Sequence, residues 1–300
     1  MKQDYPAVSK KKLCTLFGKT RHALYDRQYR QQQEVLTDDI VLQYVYQIRG
    51  QLPRLGTRKL HHKLQPLLDE HGIRVGRDYL FGLLDDHKLL IRQRKRKAFT
   101  TNSRHWMRKY NNLTKDMIAM RPEQLWVSDM TFMRLGNQWG YLSLVTDAYS
   151  RQIMGYCLRT DMTTQGCMEA LQMALGNRKY PQEPLIHHSD RGSQYCSQQY
   201  VQLLTDNGIA ISMTQNGDPY ENALAERMNG ILKTEFNLYS SQQGYIQAVQ
   251  QVAASIAAYN HERPHSSCDF LTPAQAHHQE GPLNKRWKQY PYKTCKTKEQ

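Results

Sequence analysis

Residues 125–160 read LWVSDMTFMRLGNQWGYLSLVTDAYSRQIMGYCLRT. Three runs rich in aliphatic, β-branched and aromatic residues are punctuated by the turn words GNQW and DAYSR, which predicts three antiparallel strands in sequence. Alternation along the first run puts Val127, Asp129 and Thr131 on one face and Ser128 and Met130 on the other. Asp129 is then a carboxylate inside a strand, flanked by Trp126, Val127, Met130 and Phe132. Such a group must be paired, hydrogen-bonded or metal-bound, because burying it alone is costly.

Downstream, residues 163–178 have helical spacing, PLIHHSD (184–190) is a short apolar run with a polar end, and 197–207 is helical again. IAISMT (209–214) reads as a fifth strand, and a longer helix begins near Asn222. The order βββ-α-β-α-β-α predicts an α+β domain with a mixed five-stranded sheet and flanking helices. Asp190 closes the HHSD strand at its C-terminal edge, where open α/β sheets place ligands. Glu226 lies on the helix that follows QNGDPYEN (215–222). Three converging carboxylates, Asp129, Asp190 and Glu226, suit a hard cation held by oxygen ligands, above all Mg²⁺, with Mn²⁺ as a substitute. Two such ions about 4 Å apart activate the attacking oxygen and stabilise the leaving oxygen of an in-line phosphoryl displacement. Lys233 lies two helical turns beyond Glu226 and shares its face. Glu221 stands five residues before Glu226, and helix geometry alone does not choose between them.

Upstream the texture is basic. Residues 1–120 hold 25 Lys and Arg against 11 Asp and Glu, whereas 121–300 hold 16 against 16. Within the latter, 281–300 carries six basic residues and one Glu, leaving 121–280 at 10 against 15. A basic arm, a mildly acidic middle and a basic tail suggest a nucleic-acid-binding portion joined to another activity. SKKKLCTLFGKTRHALYDRQYRQ (9–31) reads as two short helices around Gly18, a helix-turn-helix-like pair with Lys19, Arg21, His22 and Arg27 on the second. In a second helical unit, Thr37 before Asp38-Asp39 predicts an N-cap for a helix through Ile48. Leu60, Leu64 and Leu67, then Leu80, Leu83 and Leu84, repeat at helical spacing. Arg54, Arg58, Lys59 and Lys63 give the middle helix a basic face, and RQRKRK (92–97) begins a linker able to lie along phosphates. The DNA contacts expected are Arg58, Lys59, Arg94, Lys95, Arg96, Lys97, His188, Arg191 and Lys233. The boundaries expected are 1–35, helix-turn-helix-like; 36–91, helical and DNA-binding; 92–121, basic linker; 122–280, catalytic; and 281–300, basic tail.

Several classes are disfavoured. No run approaches the length of a membrane-spanning helix, and the N-terminus MKQDYPAVSKKKLC lacks the apolar core of a secretory signal, which points to the cytosol. Six scattered cysteines without a C-x-x-C read as reduced thiols. Glycine-rich phosphate loops of the Walker type are missing, so ATP is not expected. His261 and His265 have a zinc-like interval but no Cys pair to complete a structural site.

WVSDMTF, HHSDRGSQY and NGDPYENALAERMNGILKTEF resemble, in order and spacing, the DDE transposases of the IS-three insertion-sequence family. The closer likeness is to the product of the second reading frame, OrfB, a relative of retroviral integrases. Thirty-five residues separate Asp190 from Glu226, as in the D-D-35-E pattern of that superfamily. The step from Glu226 to Lys233 also belongs to the pattern, and both favour Glu226 over Glu221, which is Glu where many relatives have Asp. YNHERPHSSCDFLTPAQA (259–276) resembles the closing Tyr-Asn-x-x-Arg-Pro-His segment, and PRLGTRKLHHKL resembles the N-terminal DNA-binding region. The resemblance covers roughly residues 37–276.

It implies a ribonuclease H-like core preceded by helical DNA-binding segments. It further implies an enzyme that cuts one strand at an element end and directs the exposed 3′-hydroxyl at another phosphodiester. The partners implied are double-stranded DNA (terminal repeats and target), further copies of the chain on that DNA, and the upstream-reading-frame product as fusion or partner, in a bacterial cytoplasm. Two alternatives stand beside it: a hydrolytic nuclease of the same fold, and a non-catalytic DNA-binding or regulatory product.

Overall fold

The three runs around Asp129 form the strands that alternation predicts in the computed structural model, which describes residues 8–92, 106–115, 117–215, 222–241 and 244–286, with the backbone alone at Ser240 and Ser241. The chain divides into two units, Met1–Ile48 with Leu60–Leu90, and Arg49–Lys59 with Ile91–Gln300.

In the second unit, β1 (Leu125–Leu135), β2 (Gln138–Asp147) and β3 (Ile153–Arg159) make an antiparallel meander. β4 (Ile186–Ser189) then pairs parallel with β1, and β5 (Ala210–Met213) parallel with β4, giving the order β3-β2-β1-β4-β5. A two-residue strand, β6 (Ser240–Ser241), adds to the far end of β1. The mixed sheet with its flanking helices is the α+β architecture expected from the order of elements and the ribonuclease H-like core that the resemblance implies.

Both faces of the sheet are covered, because alternate residues of β1 feed two separate cores. Trp126 and Met130 pack in a cluster with residues of α5 (Thr164–Gly176) and α6 (Gln198–Asp206). Leu125 and Val127 pack with Ala148 and with Ala225 of α7 (Ala223–Glu235). Asp129, in phase with Val127, therefore faces the α7 side. Close approach fixes the other side: a Cβ at Gly155 would stand 2.0 Å from the Ala170 carbonyl oxygen, so β3 and α5 meet backbone to backbone.

A helix that the sequence reading did not identify, α8 (Tyr245–Glu262), runs past edge strand β3. Tyr245 at its start donates to the Leu158 carbonyl at 2.7 Å. Near its end, Asn260 accepts from Ile153 N at 3.0 Å and donates to Ile153 O at 2.9 Å. A single 3₁₀ turn (Ser266–Cys268) and α9 (Pro273–Ala276) follow. α9 starts on a full capping box between Thr272 and Gln275.

The first unit holds α1 (Lys10–Leu16), capped by Ser9, most of α2 (Arg21–Gln51) and of α3 (Thr57–Asp69), and α4 (Arg77–Asp86). Two expectations need correction here. Thr37 is no N-cap: α2 runs unbroken through it, and its hydroxyl bonds back to the Gln33 carbonyl at 2.8 Å. The position between residues 35 and 36 consequently lies inside a helix. The buried leucines of α3 are Leu60, Leu64 and Leu68, not Leu67, a strict four-residue repeat.

Part of the stretch read as a linker also packs. Met107 and Tyr110 join the Trp126 cluster, and Leu113 N donates to Ser212 Oγ at 2.8 Å beside β5. Arg94, Lys95, Arg96, Lys97, Glu221 and residues 287–300 of the basic tail lie outside the described residues.

Candidate active site

Two carboxylates meet because the sheet changes sense between β1 and β4. In that parallel pair Ser128 stands opposite Ser189, so the next residues are Asp129 and Asp190, side by side where the ladder ends. Parallel neighbours are spaced about 4.8 Å apart, which brings their charges into strong contact. The third carboxylate, Glu226, is exposed in the first turn of α7, the helix that covers the Asp129 face.

Each aspartate is oriented by a backbone N–H close by in the sequence. Asp129 accepts from Met130 N at 2.9 Å and from Asn229 Nδ2 of α7 at 2.7 Å. Asp190 accepts from Gly192 N at 2.9 Å. A Cβ on Gly192 would stand 3.0 Å from that carboxylate and 3.2 Å from Gln194 Oε1, so only glycine lets the backbone close on it without a shift.

Burial raises the Asp129 pKa to about 7, with the charges of Asp190 and Glu226 adding to the rise and the Asn229 bond opposing it. Burial and Asp190 together raise Glu226. The three groups thus form one site of mutually repelling charge. Lys233, on the same α7 face, sits with its ammonium 5.0 Å from the centre of the Phe132 ring. Burial lowers its pKa, and the Asp129 charge pulls it back up.

An all-oxygen set of mutually repelling carboxylates has the donor chemistry of a hard divalent cation. Among the described residues no group of three His, Cys, Asp or Glu side chains is close enough together to hold an ion as it stands. The carboxylates are near enough to perturb one another and are not drawn into a cage.

Asp129, Asp190, Glu226 and Lys233 therefore come together, and Arg191 follows Asp190 directly. His188 is a correction. It is 1% exposed, with Nδ1 at 2.8 Å from Ser212 Oγ and 3.3 Å from Thr114 Oγ1, which makes it a packing residue of β4 with no surface for DNA. Lys59 is half-buried and paired with Glu235 at 3.1 Å, while its neighbour Arg58 is exposed. Asn229, Phe132 and Gly192 were not anticipated. Asn229 was within reach of the same reasoning, because it lies three residues after Glu226 and four before Lys233 on one helical stripe.

The integrase core domain family matches residues 119–219 and, in a second pattern of the same description, residues 207–273. The chain is similar to the insertion element IS600 uncharacterized 31 kDa protein of Shigella sonnei, 33% identical over 266 residues that cover 87% of this chain and 96% of that one. It is 31% identical to the transposase for insertion sequence element IS629 of Shigella sonnei, across 74% and 73% of the two chains. Against transposase InsF for insertion sequence IS3A of Escherichia coli (strain K12) the identity is 36%, across 55% and 57%. Among solved structures, a simian T-cell lymphotropic virus intasome in complex with PP2A regulatory subunit B56 gamma matches 79% of each chain at 21% identity, with a TM-score of 0.47. The HTLV-2 integrase catalytic core domain in complex with magnesium matches 53% of this chain and 98% of its own at 20% identity, TM-score 0.42.

Proposed function

The chain belongs to the integrase-core transposases of insertion sequences, and from that premise we propose that it cleaves DNA at element ends and joins the exposed 3′-hydroxyl to a second phosphodiester. The observation that carries this reading is the placement of Asp129 and Asp190 at the β1/β4 divergence with Glu226 on α7 over them, the charges of Asp190 and Glu226 raising the pKa of Asp129 and that of Asp190 raising Glu226. Asp129, Asp190 and Glu226 would hold two Mg²⁺ ions, with Mn²⁺ as a substitute. When bound, such ions activate the attacking oxygen and neutralise the leaving one.

The remaining work falls to the chain's own side chains. Asn229 and the Met130 N–H hold the Asp129 carboxylate in one orientation, and Gly192 N does the same for Asp190. Lys233, its ammonium held over the Phe132 ring, offers a point charge to a phosphate next to the reacting bond. The excess positive charge of residues 1–120 supports binding of duplex DNA through that arm, with the helix-turn-helix-like segment, the helical unit and the basic linker as its parts.

The test is incubation of the chain with a duplex carrying an element end, with and without Mg²⁺. Site-specific nicks followed by joined products from pre-cut ends are expected. Nicks without joining would favour a hydrolytic nuclease, and binding without nicks a regulatory product.

A further inference from the structure

The segment Tyr259–Cys268, which the proposed chemistry leaves unused, builds a second site. His265 is 4% exposed, and its Nδ1 accepts from Ser267 N at 3.4 Å and lies 2.7 Å from Ser267 Oγ. With Nδ1 accepting, the neutral ring carries its proton on Nε2. That buried Nε2 has no partner within the protein. Arg151 donates Nε to the same Ser267 hydroxyl at 3.4 Å, and its buried Nη1 is also without a partner. Two donors that share one serine are thus buried and unanswered, an arrangement that is costly unless an acceptor arrives.

The surrounding charge says what kind of acceptor. Arg151, Lys59, Arg227 and Arg263 all lie within electrostatic reach of His265, and each disfavours a charged imidazole there. The acidic groups near them are Glu235, Asp147 and, directly before Arg227 on α7, Glu226. Glu235 is already bound by both Arg263 nitrogens, at 2.7 and 2.8 Å, and by Lys59. Asp147 is saturated by the Ser150 N–H and hydroxyl and the N–H groups of Glu123 and Tyr149. Positive charge therefore remains over, and the exposed Arg227 carries part of it to the surface. Arg227 follows Glu226 directly, so it projects about 100° around α7 from the carboxylate site.

We propose that Arg151, His265 and Arg227 form an anion site that takes a backbone phosphate of duplex DNA, separate from the phosphate at the carboxylates. The choice of DNA over a free phosphate rests on the transposase reading. The site would hold the duplex at a fixed distance from the reacting strand.

The test reads binding without metal and without cleavage. The affinity of the full chain for a labelled end-containing duplex is measured across a salt series for wild type, Arg227→Gln and Arg151→Gln. Each neutralised phosphate contributes about 0.9 to the slope of log K against log salt, so either variant should lose about one unit of slope. Thermal melting verifies folding, and Arg227→Gln keeps the test valid if Arg151→Gln does not fold, because Arg227 is exposed. An unchanged slope in folded Arg227→Gln overturns the proposal. In a second arm, melting is followed in sodium phosphate against sodium chloride at matched ionic strength. Stabilisation by phosphate in wild type but not in Arg227→Gln, with the DNA slope unchanged, would mean that the site takes the free anion and would sink the DNA assignment. A chain that loses slope in the variants but never nicks DNA would retain this site while refuting the proposed chemistry; normal nicking with unchanged slopes would do the reverse.

Discussion

Two groups of carboxylates lie around β1 in the sheet unit, and they are treated in opposite ways. Glu123 and Asp147 are completely buried. Glu123 accepts from Lys179 N, Tyr180 N and Arg178 Nε, and His277 Nε2 lies 3.4 Å away. Burial alone would raise its pKa, yet these partners, His277 foremost, hold it below the ordinary value. Asp147 receives four hydrogen bonds, and burial, the largest influence on it, still raises its pKa. Asp129, three residues along β1 from Trp126, which stands opposite Asp147, has two donors and is raised by two neighbouring carboxylates as well. Burial of an acid is therefore no sign of function by itself. The sign is an acid whose surroundings supply more negative charge and too few donors.

The largest effect expected is on turnover. Asp129→Asn, Asp190→Asn and Glu226→Gln should each lower cleavage and joining by about 10³-fold or more, roughly 4 kcal/mol of barrier, with the fold and DNA affinity kept. Glu221→Gln should stay active. A live Glu226→Gln with a dead Glu221→Gln would reassign the third carboxylate and break the comparison.

Next comes stability on the other side. Glu123→Gln leaves Arg178 without its counter-charge in the interior, and should cost about 3–5 kcal/mol of unfolding free energy. Denaturant unfolding reads this directly; an unchanged midpoint would show that the two groups do not differ as argued.

Lys233 sharpens the contrast at a smaller scale. Lys233→Ala should slow strand transfer by about 10²-fold, while Lys233→Arg should retain part of the rate because the charge survives. Joining rates close to wild type in Lys233→Ala would reduce it to an ordinary half-buried lysine.

The smallest effect is a pH dependence. The folded pKa of Asp129, about 7, lies above its ordinary value of 3.8. The folded chain then holds a proton that the unfolded chain has lost, and its contribution to stability disappears as pH rises from about 4 through 7. Asp129→Asn, measured without metal, should match wild type near pH 4 and exceed it above pH 7 by about 1–2 kcal/mol after solvent screening, a rise of roughly 2–6 °C in melting temperature. Mg²⁺ should close the gap by stabilising wild type alone. A difference independent of pH would contradict the charge argument.

Much of the sheet unit was legible because its signals are local. The three runs from Leu125 carry period-two alternation between turn words, and the observed β4, α6 and β5 fall inside the spans read from the sequence. The carboxylates were legible as residues out of place in apolar strands. The partners of those carboxylates were not, since Asn229 reaches Asp129 across 100 positions of chain and only the packing of α7 on β1 makes the bond. His188 misled for the same reason: a polar residue two positions before Asp190 looks functional until β5 supplies Ser212 as its partner. α2 defeated the reading because Thr37-Asp38-Asp39 has the chemistry of a helix start, and tertiary burial of Val41, Leu42 and Val45 in the following turns overrides that local preference.

Asn260 has a consequence for how copies of this chain can come together. Its side-chain amide returns both hydrogen bonds of Ile153, so it stands in for the peptide of a missing sixth neighbour on the open margin of the sheet. An incoming strand finds that slot already filled and the helix bearing Asn260 in its path. The margin at β3 thus cannot template sheet growth from molecule to molecule, the route by which exposed edges turn into aggregates. Any assembly of several copies must use surfaces other than this margin.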